Sequence, residues 1–276
     1  MKKAGKVIMK ELLILSAEQK ITFQNVQTMF LLERMVARLT GKKELFNSIV
    51  FKGGYVALRV FQSPRFTIDL DALINGAEIK KTETMAIEAI EQDIQDGTWF
   101  KYEKRSDLTT LGEYGGTRLW FRCGIGDIPE KFIKAQSIHL DLGVGDAVFP
   151  APQINLMNEL LTKNTVLWKV YPIESAVAEK LHTLIIRKSD NSRSKDVFDL
   201  YFLLPKCSIQ ILKEALSATF SSRGDLLPEK ILPAVVNIDI FLLEKGWKSA
   251  TAGLSEAVPI EKAFETIIEY CKKIDG

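Results

Sequence analysis

Two aspartates one residue apart, in Ile68-Asp69-Leu70-Asp71, are the groups of this chain most able to do chemistry. Alternate side chains of a β-strand share a face, so Asp69 and Asp71 project the same way, about 7 Å apart along the backbone. Carboxylates that close repel; at 4 Å the cost is about 4 kcal/mol at an effective dielectric of 20. A divalent cation relieves the repulsion, and magnesium-dependent phosphoryl transfer needs such a pair. Asp141, in Ile138-His139-Leu140-Asp141, lies on a second apolar stretch and shares a face with His139. It is a candidate third metal ligand, since magnesium takes six oxygens at about 2.0–2.1 Å, some from nucleotide phosphates. An edge strand with one wet face gives the same alternation without chemistry, with Ile68, Leu70 and Ala72 turned inward.

A strand–turn–helix unit precedes the pair. The apolar run Ser48-Ile49-Val50-Phe51 ends in Lys52-Gly53-Gly54, and an amphipathic stretch follows from 55 to 61. Glycines at such a turn expose backbone N–H groups to an anion; the plainer reading is a tight turn that needs positive φ. No Walker loop and no GxGxxG occurs in the sequence. Further on, Lys180 falls on a helix, either as a surface lysine or as a point charge for a triphosphate. Asp196 and Asp199 share a helix face at i, i+3, although Asp196 also suits a helix N-terminus. Arg187, Lys188, Arg193 and Lys195 form a basic cluster, either a solvated loop or a contact for RNA or nucleotide. His182 is expected on a helix, facing the surface between domains.

Positioning these groups takes a mixed sheet and a set of helices. Residues 8 to 41 carry apolar positions at helical spacing and read as two helices; 82 to 95 reads as another. From 99 to 148 the pattern shifts to strands, clearest at 119–123 and 137–144. Pro150 and Pro152 mark a boundary, beyond which the helical period dominates over 173–186, 196–204, 209–218 and 259–274, after a short strand at 168–171. The fold class is therefore α+β: a mixed β-sheet with flanking helices, residues 1–160, followed by a helical domain, residues 161–276.

Bulk composition narrows the function classes. The 276 residues are 46% apolar and 26% charged with a net charge of +2, the profile of a water-soluble globular protein. So small a net charge permits a nucleic-acid partner only through a local patch. Cys123, Cys207 and Cys271 are far apart, and there are two histidines. A disulfide framework or structural zinc site is not expected, and the cytoplasm is the expected compartment. Neither a signal peptide nor a membrane span is expected.

The ordered set Phe51-Lys52-Gly53-Gly54, Arg65-Phe66-Thr67-Ile68-Asp69-Leu70-Asp71, Tyr171-Pro172-Ile173-Glu174 with Ala178-Glu179-Lys180-Leu181, and Arg193 to Tyr201 resembles the AbiEii/AbiGii nucleotidyltransferase toxins, a bacterial branch of the polymerase-β-like nucleotidyltransferases. The resemblance spans about residues 45 to 205. It implies a nucleotidyltransferase fold with a helical C-terminal domain and a cleft between the halves. It assigns Asp69 and Asp71 to divalent metal, Mg2+ or Mn2+, and Lys180 to the phosphates of an NTP substrate. Asp196 or Asp199 becomes the further catalytic carboxylate, and Lys52, Gly53, Gly54, Arg65 and Thr67 join Lys180 in binding nucleotide. The implied acceptor is the 3′ end of tRNA or another RNA, and the implied partner a cognate antitoxin. A protein or small-molecule hydroxyl as acceptor, or a non-catalytic interaction module on the same scaffold, are the alternatives. Tyr55 departs from the family's usual small residue, commonly threonine, after the glycine pair; its bulk is expected either to narrow nucleotide entry or to remove a hydroxyl contact.

Overall fold

Strand β2 (Asp69–Ile74) shows how the chain builds its site: Leu70 and Ala72 are buried while Asp69 and Asp71 on the other face stay half-exposed. In the computed structural model, which describes residues 3–108, 115–187, 193–252, 254 and 258–276, this strand lies inside a seven-stranded mixed sheet. The other strands are β1 (Ile49–Lys52), β3 (Thr98–Asp107), β4 (Gly116–Ile125), β5 (Gln136–Gly143), β6 (Gln153–Asn158) and β7 (Thr165–Val170). Their order is β3-β4-β5-β2-β1-β7-β6. β2 runs antiparallel to β1 and parallel to β5, so it has a partner on both sides and is not an edge strand. Ile68 lies just before it and is 63% exposed, contrary to the expected inward orientation.

Helices α1 (Lys3–Gln19), α2 (Phe23–Thr40), α3 (Lys43–Ser48) and α5 (Ile79–Glu91) accompany the sheet, and α4 (Gly53–Arg59) follows β1 directly. Thr22 caps α2 by accepting from the Asn25 N–H. The apolar face of α2, including Leu31, Leu32, Met35 and Leu39, is wholly buried. Each such side chain contributes about 1.5–3 kcal/mol relative to exposure. Trp168 on β7 meets the rings of Phe51 and Tyr55 at 5.5 and 6.0 Å. Tyr55 is fully buried and donates to the Met29 carbonyl at 3.1 Å, so its bulk fills the core; it does not narrow a nucleotide entrance.

The chain divides into two units: residues 1–55, 66–145 and 154–170, and residues 56–65, 146–153 and 171–276. The first extends beyond the expected boundary at 160 because β7 pairs in parallel with β1 and belongs to the sheet. β6 falls in a stretch to which the sequence pattern assigned no element. The second unit is helical, with α6 (Ile173–Arg187), α7 (Ser194–Leu203), α8 (Ile209–Ser222), α9 (Leu232–Val236), α10 (Ile240–Ala250) and α11 (Ile260–Asp275). Its core joins Val177, Leu181, Leu200, Leu216, Phe264 and Ile267. His182 lies on α6, buried within this unit, 2.7 Å from the Asp225 carboxylate and edge-on to Phe220. Among the described residues no helix is long and apolar enough to cross a membrane.

Candidate active site

The pairing of four strands lays the chemistry of the first unit out as a grid. One rung runs Lys52 on β1, Asp71 on β2, Asp141 on β5 and Arg118 on β4, each the register partner of the next. The neighbouring rung places Asp69 beside His139 and His139 beside Trp120. Two carboxylates therefore stand side by side across a strand pair, with a cationic residue at each end of their rung. Like charges directly opposite are destabilising, and this arrangement needs compensating cations.

Each carboxylate has a distinct setting. Asp71 rests against Gly53, whose φ is +73°. A Cβ built there would lie 1.9 Å from Asp71 Oδ2, so glycine serves both the left-handed backbone and the seat of the carboxylate. Asp69 is one-third exposed and accepts from the Thr67 hydroxyl. Asp141 receives a bidentate fork from Arg118, whose Nε and Nη2 each donate at 2.7 Å. His139 is buried against Trp120, 4.7 Å between rings. Its Nε2 lies 3.7 Å from Asp69 and 3.9 Å from Asp141 and, among the described residues, makes no hydrogen bond. Burial lowers its pKa, outweighing the pull of Asp141 and Asp69, and the ring is neutral at pH 7.

The second unit gathers the other candidate residues. Lys180 on α6 meets Asp196 and Asp199 on α7, each at 2.8 Å. Arg65 donates through Nε and Nη2 to Asp199 at 2.8 and 2.7 Å, and Arg193 pairs with Asp196 at 2.6 Å. Burial opposes the charge on Lys180, but the two carboxylates more than offset it and raise its pKa. Burial likewise works against ionisation of Asp196 and Asp199, yet Lys180 first, with Arg193 and Arg65 respectively, holds both below the ordinary aspartate range. Of the basic cluster, Lys188 lies outside the described residues, Arg193 is committed to Asp196, and Lys195 is exposed.

The profile of the nucleotidyl transferase AbiEii toxin family, a type IV toxin–antitoxin system, matches residues 34–270. The chain belongs to the AbiEii nucleotidyltransferase toxin family. Two solved structures from Helicobacter pylori share its fold. A presumed nucleotidyltransferase superposes with a TM-score of 0.57 at 16% identity, covering 92% of this chain and 96% of its own. The protein JHP933 superposes with a TM-score of 0.52 at 14% identity, covering 92% and 93%. No curated relative matches this sequence.

Several residues of this AbiEii-family nucleotidyltransferase escaped sequence reading. Arg118 and Trp120 sit on one face of β4, and the alternation Arg118-Leu119-Trp120-Phe121-Arg122 held that signal. Nothing local announced that Gly53 seats Asp71 or that Arg65 clamps Asp199, a partner 134 positions away. A cavity of about 620 Å³ lined by Ile8, Phe30, Arg34 and Glu159 contains no residue of the grid.

Proposed function

We propose that this AbiEii-family nucleotidyltransferase transfers a nucleotide from an NTP to an RNA 3′ hydroxyl, with the tRNA acceptor end as substrate and Asp69 and Asp71 as the catalytic carboxylates. The observation that carries this reading is the seating of Asp71 against Gly53 beside the half-exposed Asp69 on an interior strand. Rigid strands hold both groups in place, which is how a site built mostly on positioning and charge should be made. The tRNA acceptor and the antitoxin partner rest on family membership alone.

A divalent ion is implied by the chemistry, and the residues fit one. Hard carboxylate oxygens on one strand face suit Mg2+ or Mn2+, and the Gly53 turn leaves Asp71 room that a Cβ would take. Among the described residues no three His, Cys, Asp or Glu side chains already surround a common point. Asp69 and Asp71 would hold the ion, which supplies charge neutralisation for the phosphates and acidifies a bound hydroxyl. In the reaction the acceptor oxygen attacks the α-phosphorus, the bond to the β-phosphate oxygen breaks, and pyrophosphate leaves. Lys52, across from Asp71, contributes positive charge next to the carboxylates. Lys180 and Arg65 remain assigned to nucleotide by the resemblance; in the structure their charges are bonded to Asp196 and Asp199.

The test is to incubate the protein with each α-labelled NTP and magnesium, offering total tRNA in one arm and total protein in the other. Label entering tRNA in a reaction lost with Asp71→Asn supports the proposal. Label entering protein moves the acceptor to a protein hydroxyl, and transfer by Asp71→Asn at the wild-type rate removes the assigned site.

A further inference from the structure

Strand β4 turns Leu119, Phe121 and Cys123 into the core and Arg118, Trp120 and Arg122 to the other face, the one that carries the carboxylates. Ladder register extends this face in both directions. Trp120 lies opposite Lys104 on β3 and opposite His139 on β5, and His139 lies beside Asp69 on β2. The indole is half-buried, with the Lys104 ammonium 5.3 Å and the Arg118 guanidinium 5.5 Å from its ring. Arg118 is shared with Asp141 and Arg122 with Glu103. Lys104 is exposed and has no carboxylate partner among the described residues. An indole set in a sheet surface among cations offers a flat apolar face for a base and positive charge for its phosphates, which is what a single-stranded nucleic acid requires. A purely structural tryptophan is hidden instead, as Trp168 is on β7.

The place of Trp120 in the sheet separates the acceptor from the NTP. Neighbouring strands lie about 4.8 Å apart, so Trp120, two strands from Asp69, stands about 10 Å to one side of it. The glycine turn assigned to the NTP phosphates follows β1, on the opposite side of β2. In phosphoryl transfer the attacking and leaving oxygens stand roughly in line, on opposite sides of the phosphorus. Pyrophosphate leaving toward the turn therefore sets the acceptor on the side of β5 and β4. We propose that the β3–β4–β5 face holds the acceptor RNA, with Trp120 stacking on a base near its 3′ end and Lys104 contacting its phosphate backbone. The inference rests on the nucleotidyltransferase reading above and deepens it by giving the acceptor a surface and named side chains. An arriving base takes the place of the Lys104 ammonium over the indole, and the released ammonium turns to the adjoining phosphate.

Binding and transfer are read separately on the full-length chain. Affinity for a 5′-fluorescein-labelled tRNA is measured by anisotropy without NTP or divalent metal, and transfer with α-labelled NTP gives separate KM values for tRNA and NTP. Trp120→Ala and Trp120→Leu should weaken tRNA binding by about tenfold or more, the scale of one lost stacking contact, and Trp120→Phe should keep most of it. Lys104→Gln should weaken binding and reduce the slope of log affinity against log salt by about 0.7, the share of one phosphate contact on a single strand. Lys213→Gln, an exposed lysine on α8, should change neither. In transfer, the Trp120→Ala, Trp120→Leu and Lys104→Gln variants should raise the KM for tRNA and leave the KM for NTP unchanged. Wild-type affinity in the folded Trp120 variants together with Lys104→Gln would overturn the proposal. A rise in the KM for NTP instead of tRNA would also overturn it, making Trp120 a contact of the incoming nucleotide, as would a wild type that binds no tRNA and labels protein. Transfer to tRNA that is lost with Asp71→Asn but indifferent to Trp120 and Lys104 removes this inference alone. Binding of tRNA through Trp120 and Lys104 without transfer to any acceptor leaves the RNA face standing and removes the nucleotidyltransferase reading.

Discussion

Two pairs of closely spaced acids, Asp69 with Asp71 and Asp196 with Asp199, look alike as text and differ sharply as structure. The first pair sits on a strand, has a third acid across the ladder, and keeps Asp69 one-third exposed. The second sits on a helix and is wrapped by Lys180, Arg65 and Arg193 at 2.6–2.8 Å. Carboxylates that the protein has supplied with its own cations are held for their place in the fold. Asp69 and Asp71 stand beside a further acid across the ladder and keep part of their surface in solvent. The contrast fits the metal role proposed for the strand pair, while the helix pair is clamped internally by Lys180, Arg65 and Arg193.

The largest expected effect falls on the clamp. Asp199→Asn leaves Arg65 and Lys180 short of a buried partner and should destabilise the protein by about 3–5 kcal/mol, read as a shift in urea midpoint. If Asp199→Asn keeps wild-type stability yet loses Mn2+ binding, the comparison is reversed. Next comes Asp71→Asn, for which transfer should drop by roughly 100-fold or more, the scale on which a preorganised charge matters. Its melting temperature should change little, because Asp141 loses a like-charged neighbour across the ladder while Lys52 loses an opposite charge across from it. A variant that lost both activity and stability would show Asp71 to be part of the scaffold.

What was legible beforehand follows the range of the interactions. The strand period put Asp69 and Asp71 on one face, and the helical period brought out α6, α7, α8 and α11, because both signals lie within a few residues. The aspartates of the site, Lys180, and the bond partners Asp196 and Asp199 were all named on local pattern and family resemblance. Their pairing was not. Arg118 meets Asp141 only through ladder register, and Arg65 meets Asp199 only once the chain has folded back. β6 was not read from the sequence because its six residues, Gln153 to Asn158, alternate weakly, with Ile154 and Leu156 exposed; its strand character comes from pairing with β7. The interior place of β2 is likewise a property of its two partners, not of its own residues.

Gly53→Ala links the glycine turn to the strand pair. The left-handed backbone costs a non-glycine residue about 1–2 kcal/mol, and the added Cβ would displace the Asp71 carboxylate. Activity should therefore fall nearly as far as in Asp71→Asn, together with a modest loss of stability. Retained activity with only the stability loss would mean that the carboxylate can leave its seat and still work.

Acid titration gives the smallest effect and the finest discrimination. Asp196 and Asp199 are held below the ordinary aspartate value of about 3.9. Their stabilisation is complete above that value. It is lost as pH falls through their depressed folded values, because the unfolded chain takes up protons that the clamp refuses. Lys180 is shifted upward, so its contribution is complete below its ordinary value of about 10.4 and is lost only as pH rises beyond that. Between about pH 5 and 9 the clamp should add no slope to the stability curve. Below pH 4 each clamped carboxylate should add up to about 1.4 kcal/mol per pH unit. The gap in urea midpoint between wild type and Asp199→Asn should accordingly narrow from pH 7 to pH 3. An equal gap at both would mean that the charge of Asp199 is not what the clamp depends on, and the division between the two acid pairs would have to be drawn on shape instead.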